Sequence, residues 1–184
     1  ELAANTLRTY EMLQGYTDGT FRPDNTLTRA ELCALLVQTM HLSVTDQGIE
    51  FSDVPADSWY APYVKAACGA GYLKGVGENR FDPQGTLTQE EMITVLGRLA
   101  AEINLYFYQA SQAVPEETGV PGGYSDWSED WAWLLAKSQK NILGQPLNML
   151  YDDLENIDPQ SFVTRGQIAQ VLYNVFVSID LIKY

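Results

Sequence analysis

Histidine occurs once in the 184 residues, at His41, and cysteine twice, at Cys33 and Cys68. A single histidine cannot build a cluster of imidazole and thiolate metal ligands. No nucleophile motif surrounds it, so a Ser-His-Asp or Cys-His arrangement finds no support. Both cysteines fall inside apolar helical patterns and read as small buried core residues. Positive charge is scarce: 11 Lys and Arg against 24 Asp and Glu give a net charge of -13. That field opposes nucleic acid and anionic membrane surfaces. No apolar run approaches the ~20 residues of a membrane span, so no membrane insertion is expected. Glycine-rich phosphate loops and calcium-hand spacing are missing as well. Glu90 and Glu91 are adjacent on a helix and point apart, unlike a glycosidase dyad. No cofactor, no metal and no catalysis by this chain are therefore expected. Glu1 begins an already amphipathic segment, so no export signal is read at the amino terminus.

What the chain does have is repetition. Sliding it by 60 residues brings Gly15 onto Gly75, Phe21 onto Phe81, Pro23 onto Pro83, Leu27 onto Leu87, Thr28 onto Thr88 and Glu31 onto Glu91. A further 76 brings Phe81-Asp82-Pro83 onto Ile157-Asp158-Pro159, Thr88 onto Thr164 and Glu91 onto Gln167. Upstream, Phe51-Ser52-Asp53 recurs as Tyr124-Ser125-Asp126, each followed by tryptophan at Trp59 and at Trp131 or Trp133.

The matched positions share physical roles. Thr28, Thr88 and Thr164 are each followed three residues later by Glu31, Glu91 or Gln167, the pattern of a capping box. Leu27, Leu87 and Val163 precede the caps, and Leu32, Met92 and Ile168 follow them, which adds a hydrophobic staple each time. Each cap opens a helix with one apolar stripe, for example Ile168, Val171, Leu172, Val175 and Phe176. A further helix is expected before each of these, over about 2–13, 59–70 and 129–142. Asp18-Gly19 and Glu78-Asn79 suit tight turns, and Pro23, Pro83 and Pro159 stop any helix from crossing the loop. The fold expected is all-α, a pseudo-threefold bundle of three helix–loop–helix repeats. Repeat 1 covers 1–44, truncated at its start, and repeat 2 covers 45–110. An exposed linker follows at 111–123, then repeat 3 at 124–184 with an enlarged loop, all forming one compact domain.

The run Gly15-Tyr16-Thr17-Asp18-Gly19-Thr20-Phe21-Arg22-Pro23 with Leu27-Thr28-Arg29-Ala30-Glu31, and Phe51-Ser52-Asp53-Val54 with Trp59, closely resembles the S-layer homology (SLH) family. The resemblance implies a non-catalytic module at the extracellular cell surface, anchoring surface-layer proteins and exported enzymes to the cell wall. The partner implied is secondary cell-wall polysaccharide, often ending in a pyruvylated sugar, held in grooves between repeats. Other surface-layer proteins are further candidate partners. Carried onto this sequence, the family's site residues are Arg29 and Arg165, Asp53 and Asp126, and Trp59 and Trp131. Gly15 and Tyr16 border a groove, and Lys65, with Lys137 as its counterpart, could add positive charge.

Each has a plainer reading beside it. The arginines could merely pair with surface carboxylates, and the aspartates could cap a turn. Tryptophan at this place is more often core, and a snorkelling lysine is the default. Arg29 and Arg165 lie at the first position of their helices, where a cation opposes the helix dipole. Helix stability alone does not favour arginine there. A two-pronged grip on a carboxylate, aided by free helix-start amides, is the functional reading. Repeat 2 has Gln89 and Glu90 where repeat 1 has Arg29 and Ala30, so one competent groove is expected, or two. The alternative is a protein-interaction or self-assembly module whose glycan grooves have degenerated. Salt sensitivity separates the two, since apolar protein contacts do not weaken with salt.

Overall fold

A computed structural model describes residues 2–9, 18–44, 48–137, 139–140, 146–147 and 149–178. Gly15 and Tyr16 lie outside the described residues. The chain is helical: α1 (Leu2–Thr9), α2 (Arg29–Thr39), α3 (Ala61–Gly69), α4 (Gln89–Ile103), α5 (Leu105–Ser111), α6 (Asp126–Ala136) and α7 (Arg165–Ser178). The enlarged third loop carries a two-stranded antiparallel pair, β1 (Gln139–Lys140) and β2 (Pro146–Leu147), and a 3-10 turn at Leu154–Asn156. Helix α5 was not foreseen from the sequence, and α6 starts three residues ahead of its expected position, with Ser125 at the N-cap position and its hydroxyl bonded to Glu90 rather than to the helix. The stretch read as an exposed linker is pinned: buried Thr118 donates to Glu129, and Lys137 donates to the Gly119 carbonyl.

All three capping boxes form. Thr28, Thr88 and Thr164 hydroxyls accept from the amides of Glu31, Glu91 and Gln167 at 3.2, 3.3 and 3.3 Å. The return bonds from the threonine amides to the same three side chains are 2.9, 2.9 and 2.8 Å.

The repeats then interlock in a ring. The first two amides of α2 donate to Gly85 and Pro83 carbonyls of repeat 2 at 2.9 and 3.0 Å. Those of α4 donate to Ser161 and Pro159 of repeat 3 at 2.9 and 3.1 Å, and those of α7 return to Asn25 and Pro23 of repeat 1, both at 2.9 Å. Single β-bridges, Thr28 with Thr86, Thr88 with Phe162, and Thr26 with Thr164, run around the same circle. At its centre Leu27, Leu87 and Val163 are buried. The helices pair across repeat boundaries: α2 packs on α3, α4 on α6, and α7 on α1. Sequence repeats and packed lobes are therefore offset by one helix, and each lobe depends on two repeats.

Gly97 shows how close one lobe is. A Cβ there would sit 2.8 Å from the Trp131 ring and 3.0 Å from its Cβ. Glycine inside a helix costs about 1 kcal/mol against alanine, and here the missing side chain lets α6 approach α4. Gly97→Val should lower stability by about 2–3 kcal/mol through overpacking, measured by urea unfolding. A neutral result would mean that α6 is not seated on this face.

Both cysteines are buried and unbridged. Burial pushes the Cys33 thiol far above its ordinary value and Cys68 up to about 11, against the weaker downward pull of Arg29. Thiolate is the reactive form, so thiol reagents should label neither cysteine until the protein is unfolded, as mass spectrometry would register. Rapid labelling of the native protein would contradict this burial.

Candidate functional site

The loops between helices carry unusual backbone. Arg22 and Asp82, each followed by proline, adopt positive φ of 52° and 58°, a costly conformation for residues with a Cβ. Each is held by an aspartate. The Asp53 carboxylate accepts from the Phe81 and Asp82 amides, both at 2.8 Å, with Arg80 at 3.8 Å. Partial burial pushes the Asp53 carboxyl upward, and these hydrogen bonds together with Arg80 outweigh it, leaving the group below its ordinary value. In repeat 1 Asp18 accepts from the Thr20 hydroxyl at 2.6 Å, the Thr20 amide at 2.9 Å and Arg22 at 2.6 Å. Those bonds, Thr20's foremost, lower its pKa to about 2. Because the folded values are depressed, these contacts stabilise the loops above the ordinary carboxylate range. They are lost as pH falls through the folded values. An NMR titration of the Thr20 amide should report a midpoint near 2. A midpoint at the ordinary aspartate value would show that the Asp18 clasp does not form.

At the first inter-repeat joint, Arg29 is buried, with 7% of its surface exposed. Its Nε donates to the Phe81 carbonyl at 2.9 Å, Nη2 to the Lys74 carbonyl at 2.7 Å and Nη1 to Glu91 at 3.2 Å. The guanidinium carbon lies 4.8 Å from the centre of the Phe81 ring. The third joint repeats this with Arg165, whose Nε donates to the Phe21 carbonyl at 3.1 Å and whose guanidinium carbon lies 5.1 Å from the centre of the Phe21 ring. At the second joint Ile157 stands where Phe would, and Gln89 stands where Arg would. Gln89 bonds instead to the Phe162 carbonyl at 3.3 Å and to Gln167 at 3.0 Å.

Two expectations need correction. Arginine at the first helical position does have a structural reason, since each one clasps the aromatic loop of the next repeat. The helix-start amides are not free for an anion: the first three of α2, α4 and α7 are all taken by neighbouring carbonyls or by the capping threonine. Glu90 also differs from its sequence reading. It is no groove charge but a buried carboxylate, 4% exposed, tying α4 to repeat 3. It accepts from the Ser125 amide at 2.9 Å, the Ser125 hydroxyl at 3.1 Å, the Ser128 hydroxyl at 3.0 Å and Gln160 at 2.9 Å.

The groove itself opens beside Arg29, as a cavity of about 540 Å3. Its walls are Arg29, the Tyr72–Val76 segment, the Glu91, Thr94, Val95 and Arg98 face of α4, and Trp127. Glu78 and Asn79, with φ of 51° and 55°, turn the hairpin that presents Val76 at the rim. Gly75 allows the close approach of Phe51, whose ring would lie 2.6 Å from a Cβ placed there. Val76 and Trp127 are half exposed, so the rim is apolar and the floor carries charge. A smaller cavity of about 380 Å3 lies beside the Arg165 joint, lined by Ala3, Ala4, Asn5, Phe21, Pro23, Gly166, Ala169 and Gln170.

Of the expected site residues that lie among the described residues, only Arg29 lines the larger groove. Trp59 is 58% exposed and stands apart, edge-on to Tyr60 at 5.5 Å, so its core reading is wrong. Trp131 packs on Gly97. Asp126 is exposed in the first turn of α6, next to Trp127. Lys65 lies 3.5 Å from Glu50, away from the groove. Sequence reasoning missed Trp127, Arg98 and Lys74. The signal available was that Trp127 occupies the place of Val54, an aromatic where the other copy has an aliphatic.

A model of the S-layer homology domain matches residues 3–33 and 50–93. The chain carries S-layer homology repeats. It is 31% identical over 173 residues to the surface-layer 125 kDa protein of Lysinibacillus sphaericus, covering 92% of this chain and 13% of that protein. It is 31% identical over 114 residues to a cellulosome-anchoring protein of Acetivibrio thermocellus, covering 60% of this chain and 24% of that one. An exoglucanase of the same organism is 29% identical over 171 residues, covering 92% and 14%. The chain thus spans a quarter or less of the length of these relatives. Among these relatives the match falls in proteins named for the surface layer and for anchoring. Family membership and ring geometry agree at the joints, where the Thr-Arg-Ala-Glu start of α2 seats against repeat 2.

Proposed function

We propose that this S-layer homology module holds its parent polypeptide on the wall by gripping an acidic secondary polysaccharide, with a pyruvylated sugar as ligand, in the groove between Arg29, the Tyr72–Val76 segment and α4. The observation that carries the reading is the pairing of an apolar rim, Val76 and Trp127, with a cationic floor on an otherwise acidic protein. A sugar ring stacks on an exposed indole, and a carboxylate needs a guanidinium or ammonium beneath it. The module contributes attachment, and any chemistry belongs to other parts of a longer protein. Contact with other surface-layer proteins would fall outside the groove, where Trp59 stands exposed beside Tyr60 and Tyr63.

Pelleting with cell-wall sacculi from the source cell tests this. The folded module should sediment with untreated sacculi and stay in solution after mild acid has removed ketal pyruvate. Trp127→Ala should weaken binding by about 1–2 kcal/mol, roughly five- to thirtyfold. Failure of the folded wild type to sediment with polymer-bearing walls would refute the reading.

A further inference from the structure

The loop aromatics of repeats 1 and 2 are held unequally. In repeat 2 Phe81 is fully buried, with the Arg29 guanidinium carbon 4.8 Å from its ring centre and the Phe51 ring centre at 5.4 Å. Two residues beyond Phe51, the Asp53 carboxylate accepts from the Phe81 and Asp82 amides. Repeat 1 has the same loop and the same cation, Arg165 lying 5.1 Å from the centre of the Phe21 ring. Yet Phe21 is partly exposed, and among the described residues no second aromatic ring packs on it. Its amide, the counterpart of the Phe81 amide, finds no acceptor there either.

Beside Phe21 lies instead the cavity of about 380 Å3. Its walls are smaller than their counterparts in the neighbouring lobe. On α1, Ala3 and Ala4 match Tyr63 and Val64, and on α7, Gly166 and Ala169 match Ala30 and Cys33. An apolar hole left unfilled costs stability, and an amide without a partner adds to that cost. An aromatic ring would fill the hole, and a carboxylate would take the amide.

We propose that this cavity is the seat of an extended segment carrying an aromatic residue and, two positions on, an aspartate, and that the segment belongs to the same polypeptide, joined ahead of Glu1. The ring packs on Phe21 and the carboxylate accepts from the Phe21 amide, as Phe51 and Asp53 do in repeat 2. A chain joined to Glu1 enters beside the seat, because Ala3, Ala4 and Asn5 form one of its walls. The span fits as well: Asp53 stands eight positions ahead of Ala61, the first residue of α3, and Glu1 matches Ala61 under the 60-residue shift. Docking closes the joint at which the last repeat returns to the first. It is independent of what the larger groove binds.

The test fuses a copy of residues 48–60 ahead of Glu1, which keeps that spacing. Hydrogen exchange of the Phe21 amide and the urea midpoint are compared with those of the 184-residue chain. The fused copy should slow Phe21 exchange by about tenfold or more, the scale of one charge-assisted hydrogen bond, and should raise the midpoint. A copy carrying Asp53→Asn should lose most of the slowing and keep part of the midpoint gain, whereas one carrying Phe51→Ala should lose both. Ala4→Leu, which fills the seat from α1, should cancel both gains. Added as a free peptide, the same segment should need roughly millimolar concentration to match the fused copy. Unchanged exchange and midpoint in the fused protein overturn the proposal, and so do gains that survive both Asp53→Asn and Phe51→Ala. A free peptide that protects Phe21 while the fused copy does not would give the seat to a separate chain and overturn its assignment to this polypeptide.

Discussion

Glu90→Ala should lower the unfolding free energy by about 3–5 kcal/mol, the largest effect expected of any single change outside the apolar core. The carboxylate is buried and accepts four hydrogen bonds from Ser125, Ser128 and Gln160. No cation pairs with it among the described residues. Its removal strands the Ser125 amide and the Gln160 amide inside the joint between repeats 2 and 3. Glu90→Gln keeps the shape but turns one acceptor into a donor, so a smaller loss of about 1–2 kcal/mol is expected. Urea unfolding followed by tryptophan fluorescence measures both. Equal stability of Glu90→Ala and wild type would mean that this joint is held by backbone contacts alone.

Arg29→Ala is the second, and here the sign is as informative as the size. If the arginine did nothing but face the helix dipole, replacing it would stabilise the protein by about 0.3–1 kcal/mol. The clasp on Phe81, Lys74 and Glu91 predicts the opposite, a loss of about 2–4 kcal/mol. A double-mutant cycle with Phe81→Leu should return a coupling of about 0.5–2 kcal/mol, which isolates the ring contact. Arg165→Ala should share the sign. A stabilised Arg29→Ala protein would sink the clasp and return Arg29 to the ligand.

Much of this architecture could be read from the chain because it is written locally. A capping box spans four residues, and three of them in register mark three equivalent helix starts wherever those helices go. Turns at Asp18-Gly19 and Glu78-Asn79 are local too. The joints were not legible in the same way, because each connects residues far apart: Arg29 meets a carbonyl 52 residues away, and Arg165 one 144 residues away. Glu90 read as a negative charge in the second groove, since nothing near it in sequence announces Ser125 or Gln160. The groove was legible in outline from the family pattern, but its membership was not. Trp59 has the expected spacing and yet stands outside. Trp127 and Arg98 come to the groove only because α6 and α4 pack across a repeat boundary. The co-substitution of Gln89 for arginine and Ile157 for phenylalanine was visible in the aligned copies, but its meaning needed the ring contacts at the other two joints.

The most direct measurement is a titration of isotope-labelled protein with polysaccharide fragments released from source-cell sacculi, followed by NMR. If the groove is the wall-binding site, the Trp127 indole, the amides of Lys74, Gly75 and Val76 and the Arg98 side chain should shift together and saturate together. The Trp59 indole should stay in place. Shifts centred on Trp59, Tyr60 and Tyr63 with a silent groove would contradict the account, because the wall would then be held by a surface that the inter-repeat joints do not build.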